Sequence, residues 1–199
     1  MTSAPFLLFD LGGVLIENSG FEKVNALLPE AIGVDALKQR WLESSVVRSF
    51  ELGQITPREF AEVLVATWAL PWSVDEFIAE FVSWPRGFYA GAAGLLTELR
   101  QRHRIGCLSN SNELHWKKFD GLEGHFDVAL SSHLIGVIKP DRECFERALS
   151  ECGVEASEVL FFDDAIANVR AAKHLGMRAV HVNGFEELKL ALRKEGVLQ

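Results

Sequence analysis

The chain predicts an α/β fold: a Rossmann-like parallel sheet of five strands flanked by helices, with a helical bundle inserted after the first strand. Three observations carry this prediction. Short apolar runs recur at 6–9, 105–108 and 159–162, the pattern of strands buried on both faces of a parallel sheet. From about residue 89 onward such runs alternate with helical patterns, the signature of βαβ units. Between about 17 and 87 the periodicity is helical only.

Taken in order, the first strand spans 7–10 and runs into Asp10-Leu11-Gly12-Gly13-Val14. A carboxylate at the carboxyl end of a parallel strand lies in the crevice where open α/β sheets bind ligands. The glycines behind it let the backbone turn sharply and approach an ion or phosphate closely. An Asp after a strand is also an ordinary turn former, so this end acquires meaning only beside others like it.

The helical stretch that follows carries two start signals. Thr56-Pro57-Arg58-Glu59 is a capping box with proline at the first helical position, and Ser73-Val74-Asp75-Glu76 repeats the capping pattern. Four of the five tryptophans, Trp41, Trp68, Trp72 and Trp84, lie here. They are read mainly as the core of a helical cap, with Trp41, Arg48, Glu51 and Trp84 as candidates to face a substrate. Caps of this kind exclude water and select substrates. The division is a core of residues 1–16 and 88–199 and a cap of 17–87.

The remaining strands are predicted at 105–109, 128–131, 159–163 and 179–183, and helices at 92–102, 140–152, 167–175 and 186–194. Gly153 and Gly176 stand where helix-terminating glycines belong. The strand at 105–109 leads into Ser109-Asn110-Ser111-Asn112, whose hydroxyl, amide and backbone N–H groups suit either an oxyanion cradle or a helix N-cap. Gly136-Val137-Ile138-Lys139-Pro140 holds Lys139 at a helix start. The strand at 159–163 ends in Asp163-Asp164. Adjacent carboxylates repel each other, and Mg²⁺, which favours carboxylate oxygens and often shares its shell with a phosphate, is the simplest remedy.

Bulk properties narrow the function classes. The 199 residues are 48% apolar and 24% charged, ordinary for a soluble globular protein. The net charge of −8, with no basic cluster, argues against nucleic-acid partners. The apolar stretch at 6–16 is interrupted by Asp10 and lacks a basic flank, so neither a signal peptide nor a membrane span is expected. Cys107, Cys144 and Cys152 lack metal-ligand spacing, and an odd count without a leader suits a reducing cytoplasm.

Four ordered pieces, Asp10-Leu11-Gly12-Gly13-Val14-Leu15, Leu108-Ser109-Asn110, Lys139-Pro140 and Phe162-Asp163-Asp164 with Asn168, together resemble the four motifs of the haloacid dehalogenase superfamily. The resemblance covers essentially the whole chain. It lies nearest the helical-cap phosphatases that include α-D-glucose-1-phosphate phosphatase, which share Asp-Leu-Gly and Ser-Asn. It implies a phosphoric monoester hydrolase using Mg²⁺ and an aspartyl-phosphate intermediate. By position, Asp10 matches the nucleophile. The other oxygen of Asp10, the carbonyl of Gly12, and Asp164 match the metal ligands, and Asp163 a further ligand or a supporting group. Ser109 and the backbone N–H of Asn110 match the phosphoryl-binding turn, and Lys139 the motif cation. Arg48 and Trp41 are the cap residues assigned to substrate. The partner is then a small phosphate ester, such as a hexose 1-phosphate, bound by a monomer or homodimer.

One departure matters. Most phosphatases of the superfamily have a second aspartate, a general acid, two residues after the nucleophile, where this chain has Gly12. Such groups contribute about 10²–10⁴-fold in rate. Either the substrate has a leaving group needing little protonation, as an anomeric sugar phosphate does, or another side chain (Glu17, Glu113 or His115) delivers the proton, or the protein binds without turnover. The first is favoured here, because the similar glucose-1-phosphate phosphatases share the glycine. Two rival readings are a 2-haloacid dehalogenase, which needs a halide-capturing cap arginine, and a phosphate-binding scaffold.

Overall fold

The computed structural model describes residues 4–119 and 121–198. Strand β1 (Phe6–Phe9) is fully buried. The chain then turns through Gly12–Gly13 into a short strand, β2 (Ile16–Asn18), and five helices follow: α1 (Gly20–Leu27), α2 (Val34–Leu42), α3 (Ser45–Glu51), α4 (Pro57–Trp68) and α5 (Val74–Ser83). Strand β3 (Pro85–Phe88) pairs antiparallel with β2. Next come α6 (Ala92–Leu99), β4 (Ile105–Ser109), α7 (Glu113–Lys118), β5 (Val128–Ser131), α8 (Ser132–Ile135) and α9 (Arg142–Cys152). Strand β6 (Val159–Asp163), α10 (Ile166–His174), β7 (Arg178–His181) and α11 (Phe185–Lys194) complete the chain.

The main sheet is parallel throughout, in the order β5-β4-β1-β6-β7. The chain builds outward from β1 to one side through β4 and β5, then crosses to the other for β6 and β7. The carboxyl ends of β1, β4 and β6 therefore meet at the switch in strand order, where open α/β sheets place ligands. Successive side chains alternate between faces. Leu7, Phe9, Cys107 and Phe162 join one core under α6 and α11, and Phe6, Leu8, Leu108 and Phe161 the other, under α9 and α10.

Helices α1–α5 build a third core of their own around Trp41, Phe50, Phe60, Phe77, Phe81 and Trp84. Burying each such side chain contributes roughly 1.5–3 kcal/mol, enough together to hold these short helices as a unit. Both capping boxes form: Thr56 with Glu59 and Ser73 with Glu76 exchange side-chain and backbone hydrogen bonds.

Apart from element ends shifted by a few residues, as where α6 stops at Leu99, two details differ from the sequence reading. The 17–87 stretch is not helical throughout, because its two ends form the β2–β3 ribbon through which the chain leaves and re-enters the sheet layer. Three- and four-residue strands are too short to print a period, and Arg86-Gly87 interrupts the second. Helix α9 begins at Arg142 rather than residue 140, because the backbone of Lys139 is bound sideways by Asn110.

Candidate active site

The first site residue owes its place to β1. Asp10 follows the last β1 residue, and its N–H donates to Phe162 O on β6 at 2.8 Å, so the carboxyl ends of the two strands are tied side by side. Asp163 and Asp164 straddle the end of β6. Strand alternation sends them in opposite directions: Asp163 is fully buried, whereas Asp164 faces an open cleft. One oxygen from each of Asp10, Asp163 and Asp164 lies within 4.8 Å of the others.

Lys139, buried on the loop before α9, bridges two of them. Its Nζ donates to Asp10 Oδ1 and to Asp163 Oδ2, each at 2.7 Å. Burial alone would pull its pKa down, but the charges of Asp10 and Asp163 more than reverse this and hold it above the usual lysine range. Asp163 also accepts from Asn168 Nδ2 at 3.0 Å on both oxygens and from Ala165 N–H at 2.8 Å. Three donor groups making four hydrogen bonds to two oxygens use the capacity of a carboxylate. Asp163 thus orients Lys139 and the turn into α10, and Asp10 and Asp164 are the carboxylates facing the cleft.

Three carboxylates against one ammonium leave excess negative charge in a partly dry place. Burial, together with Asp163 and Asp164 and against the opposing pull of Lys139, pushes Asp10 up to about 7, and burial raises Asp164 as well. This donor set, all oxygen and short of positive charge, fits a hard divalent cation. The backbone packs tightly around it. Gly13 sits at φ +75°, and a Cβ there would lie 2.5 Å from Asp164 Oδ2, so only glycine fits.

Ser109 and Asn110 close the far wall at the end of β4. Ser109 is buried and lines the cleft. The Asn110 side chain does something its sequence position did not disclose. It donates from Nδ2 to Lys139 O at 2.9 Å and accepts at Oδ1 from Lys139 N–H at 3.0 Å, clamping the lysine loop through its backbone. With the side chain so engaged, Asn110 has its main chain to offer a phosphoryl group.

The cleft is about 660 Å³ and is bounded across from the sheet by Phe21, Trp41, Glu51 and Trp84 from the helical layer. Trp41 belongs both to the core of the helical layer and to this wall, and its indole N–H donates to Glu51 Oε1 at 3.3 Å. The buried indole N–H of Trp84 has no partner among the described residues. Arg48 lies elsewhere: it pairs with Asp141 at the start of α9 and is not among the cleft residues. The proton donors considered from sequence are also engaged. Glu17 pairs with Arg86 at 3.0 Å and Glu113 with Lys117 at 3.0 Å. His115 Nε2 meets Phe81 O at 2.8 Å, so the ring donates there, and burial pushes its pKa down to about 4.

The sequence profile described as haloacid dehalogenase-like hydrolase matches residues 6–176. The chain belongs to the haloacid dehalogenase-like hydrolases. Within that family it is 29% identical over 194 residues to a sesquiterpene phosphatase of Aspergillus oryzae, covering 91% of each chain. It is 32% identical over 165 residues to a phosphoserine phosphatase of Thermus thermophilus, covering 77% of this chain and 66% of that one. A haloacid dehalogenase family enzyme of Bacteroides thetaiotaomicron, solved as a magnesium complex, superposes with a TM-score of 0.77 at 25% identity, over 96% of this chain and all of that one. This haloacid dehalogenase-like hydrolase is a phosphatase. Among its described residues, no helix is long and apolar enough to cross a membrane.

Proposed function

We propose that this phosphatase is a Mg²⁺-dependent phosphomonoester hydrolase of the cytoplasm, acting on a small metabolite through an aspartyl-phosphate on Asp10. The sugar phosphates, with a hexose 1-phosphate as the leading member, are the substrate class. Residues 17–87 serve as the cap that selects among them, and 1–16 with 88–199 as the core. The observation that carries the reading is the bridge of Lys139 between Asp10 and Asp163, with Asp164 beside them on the cleft.

Each group then has a task. The free oxygen of Asp10 attacks phosphorus in line with the departing oxygen. Lys139 offsets the repulsion between that carboxylate and the phosphate, an effect magnified where water is excluded. Ser109 and the backbone N–H of Asn110 hold the phosphoryl oxygens. Asp10, the carbonyl of Gly12 and Asp164 are the residues that would hold Mg²⁺, with Asp163 supporting them. The ion, when bound, supplies positive charge to the transferring phosphoryl group. The cleft volume lies within the rough 300–1,000 Å³ range of small-molecule sites. Aromatic faces from Trp41 and Trp84 beside polar groups suit a sugar ring better than a bulky apolar chain.

Among the described residues no arginine lines the cleft, which removes the halide-capturing element that a haloacid dehalogenase requires. The decisive assay is hydrolysis of p-nitrophenyl phosphate and hexose 1-phosphates with and without Mg²⁺, in wild type and Asp10→Asn. Wild type is expected to turn over only with the ion, and the variant to fall to background. Activity that survives either the substitution or chelation of the ion contradicts the reading, and a binding-only scaffold would show no turnover at all.

A further inference from the structure

The position two residues after the nucleophile is Gly12, so the proton for the leaving group has no source on that turn. The described residues that border the cleft narrow the alternatives. Glu22 and Asp35 lie exposed at its rim. Tyr89 borders it too, but burial and the charges of Glu17 and Asp164 push its phenol above the usual range, making it a poorer donor. His181 is turned to Asp164 O through Nε2 at 2.9 Å. His115 is committed to Phe81 O, and Glu17 and Glu113 are paired with cations.

Glu51 is different. It is the last residue of α3 and hangs from the cap into the same cleft as Asp10, Ser109 and Lys139. Among the described residues, only the Trp41 indole hydrogen-bonds its carboxyl, on Oε1, which leaves Oε2 free. Its backbone is bolted to the core. The Ser132 hydroxyl reaches Glu51 O at 2.5 Å and accepts from Ser111 N–H at 3.0 Å, linking Glu51 to the loop that follows Ser109 and carries Asn110. Two residues on, Gly53 sits at φ +70° with a Cβ position only 2.8 Å from His133 O, so the chain is pressed against α8 at that point.

We infer that Glu51 of the cap is the general acid–base of this phosphatase, replacing across the cleft the carboxyl that Gly12 lacks. The assignment rests on the aspartyl-phosphate reading above, and it takes proton delivery by another side chain in place of the unassisted leaving group that the sequence favoured. As Asp10 bonds to phosphorus and the ester P–O bond breaks, the Glu51 carboxyl gives its proton to the departing oxygen, releasing the alcohol. The resulting Glu51 carboxylate takes a proton from the water that attacks the phosphoaspartate. The Asp10–phosphorus bond then breaks, inorganic phosphate leaves, and both carboxyl groups return to their starting states. Burial in the cleft wall pushes the Glu51 carboxyl up to about 7, against the opposing pull of the Trp41 hydrogen bond and the Lys139 charge, so the acid form is available near neutrality.

The test is kcat/KM for wild type and Glu51→Gln across esters graded by leaving group: 2,4-dinitrophenyl, p-nitrophenyl and phenyl phosphate, then a hexose 6-phosphate. Because kcat/KM includes leaving-group departure, it reads the proton step directly. The variant is expected to lose roughly 10²–10³-fold on the hexose phosphate. On the dinitrophenyl ester, whose phenolate departs unaided, it should change by less than about threefold, and that retained activity also reports an intact fold. A loss of equal size on every ester, or no loss on any, overturns the assignment while leaving the phosphatase reading in place. A wild type inactive on all four esters overturns both.

Discussion

Asn110 illustrates how a single side chain governs the chemistry from one step away. Its amide satisfies both the N–H and the carbonyl of Lys139, and Lys139 in turn spans Asp10 and Asp163. Asn110→Ala frees that loop and leaves two buried backbone groups without partners, at a cost of about 1–3 kcal/mol. Urea unfolding should register this, and kcat/KM should fall at least about tenfold as the lysine loses its fixed position. Unchanged kinetics would mean that the loop holds its shape without the clamp. The division of labour between Asp163 and Asp164 belongs to the same scale. Residue order made them a pair of carboxylates at a strand end and the family resemblance gave them different parts; the fold supplies the physical reason, binding Asp163 to Lys139 and turning Asp164 to the cleft. Arg48 is the converse case, a cationic residue of the expected region whose partner, Asp141, lies outside the cleft.

At the level of elements, the helical layer α1–α5 is tied to the sheet layer through the β2–β3 ribbon, the α3–α8 contact at Ser132, the Arg48–Asp141 pair, and α7 against α5. In the last, His115 stacks on Phe81 with ring centroids 4.1 Å apart, donates to its carbonyl and faces Asn112 at 3.2 Å. Its pKa near 4, against an ordinary 6.5, gives this contact a pH signature. The folded protein binds the neutral ring, so the unfolded chain takes up the proton first. The contribution is whole above pH 6.5 and is lost as pH falls toward 4, roughly 2–3 kcal/mol of it by pH 4.5. Denaturation curves from pH 7.5 to 4.5 should be flatter for His115→Gln than for wild type by that amount. Parallel curves would show that the ring titrates normally. The strands of the main sheet were legible to within a residue or two, because burial on both faces writes them as continuous apolar runs. The ribbon was not, since three residues carry no period, and neither was the Ser132 link, which joins residues 81 positions apart in sequence.

For the molecule as a whole, the parallel sheet gathers strand ends and the helical layer closes over them. The family, the sheet and the convergence of Asp10, Lys139, Asp163 and Asp164 could be read from four motifs in order, because the sheet topology fixes where such ends must meet. The contribution of the helical layer could not, because which face of a short helix looks into the cleft depends on packing among its aromatic residues. Trp41 and Glu51 stood among the cap candidates from the start, yet their mutual hydrogen bond and shared wall emerge only in three dimensions. The central claim is that carboxylates from the two ends of the chain share one divalent cation, so that Asp10 can be phosphorylated. Anomalous diffraction from crystals soaked in Mn²⁺ with beryllium fluoride tests it most directly. The account predicts a single metal peak contacted by Asp10 and Asp164, with the beryllofluoride on Asp10. A metal bound elsewhere, or an Asp10 left unmodified beside Lys139, would contradict it.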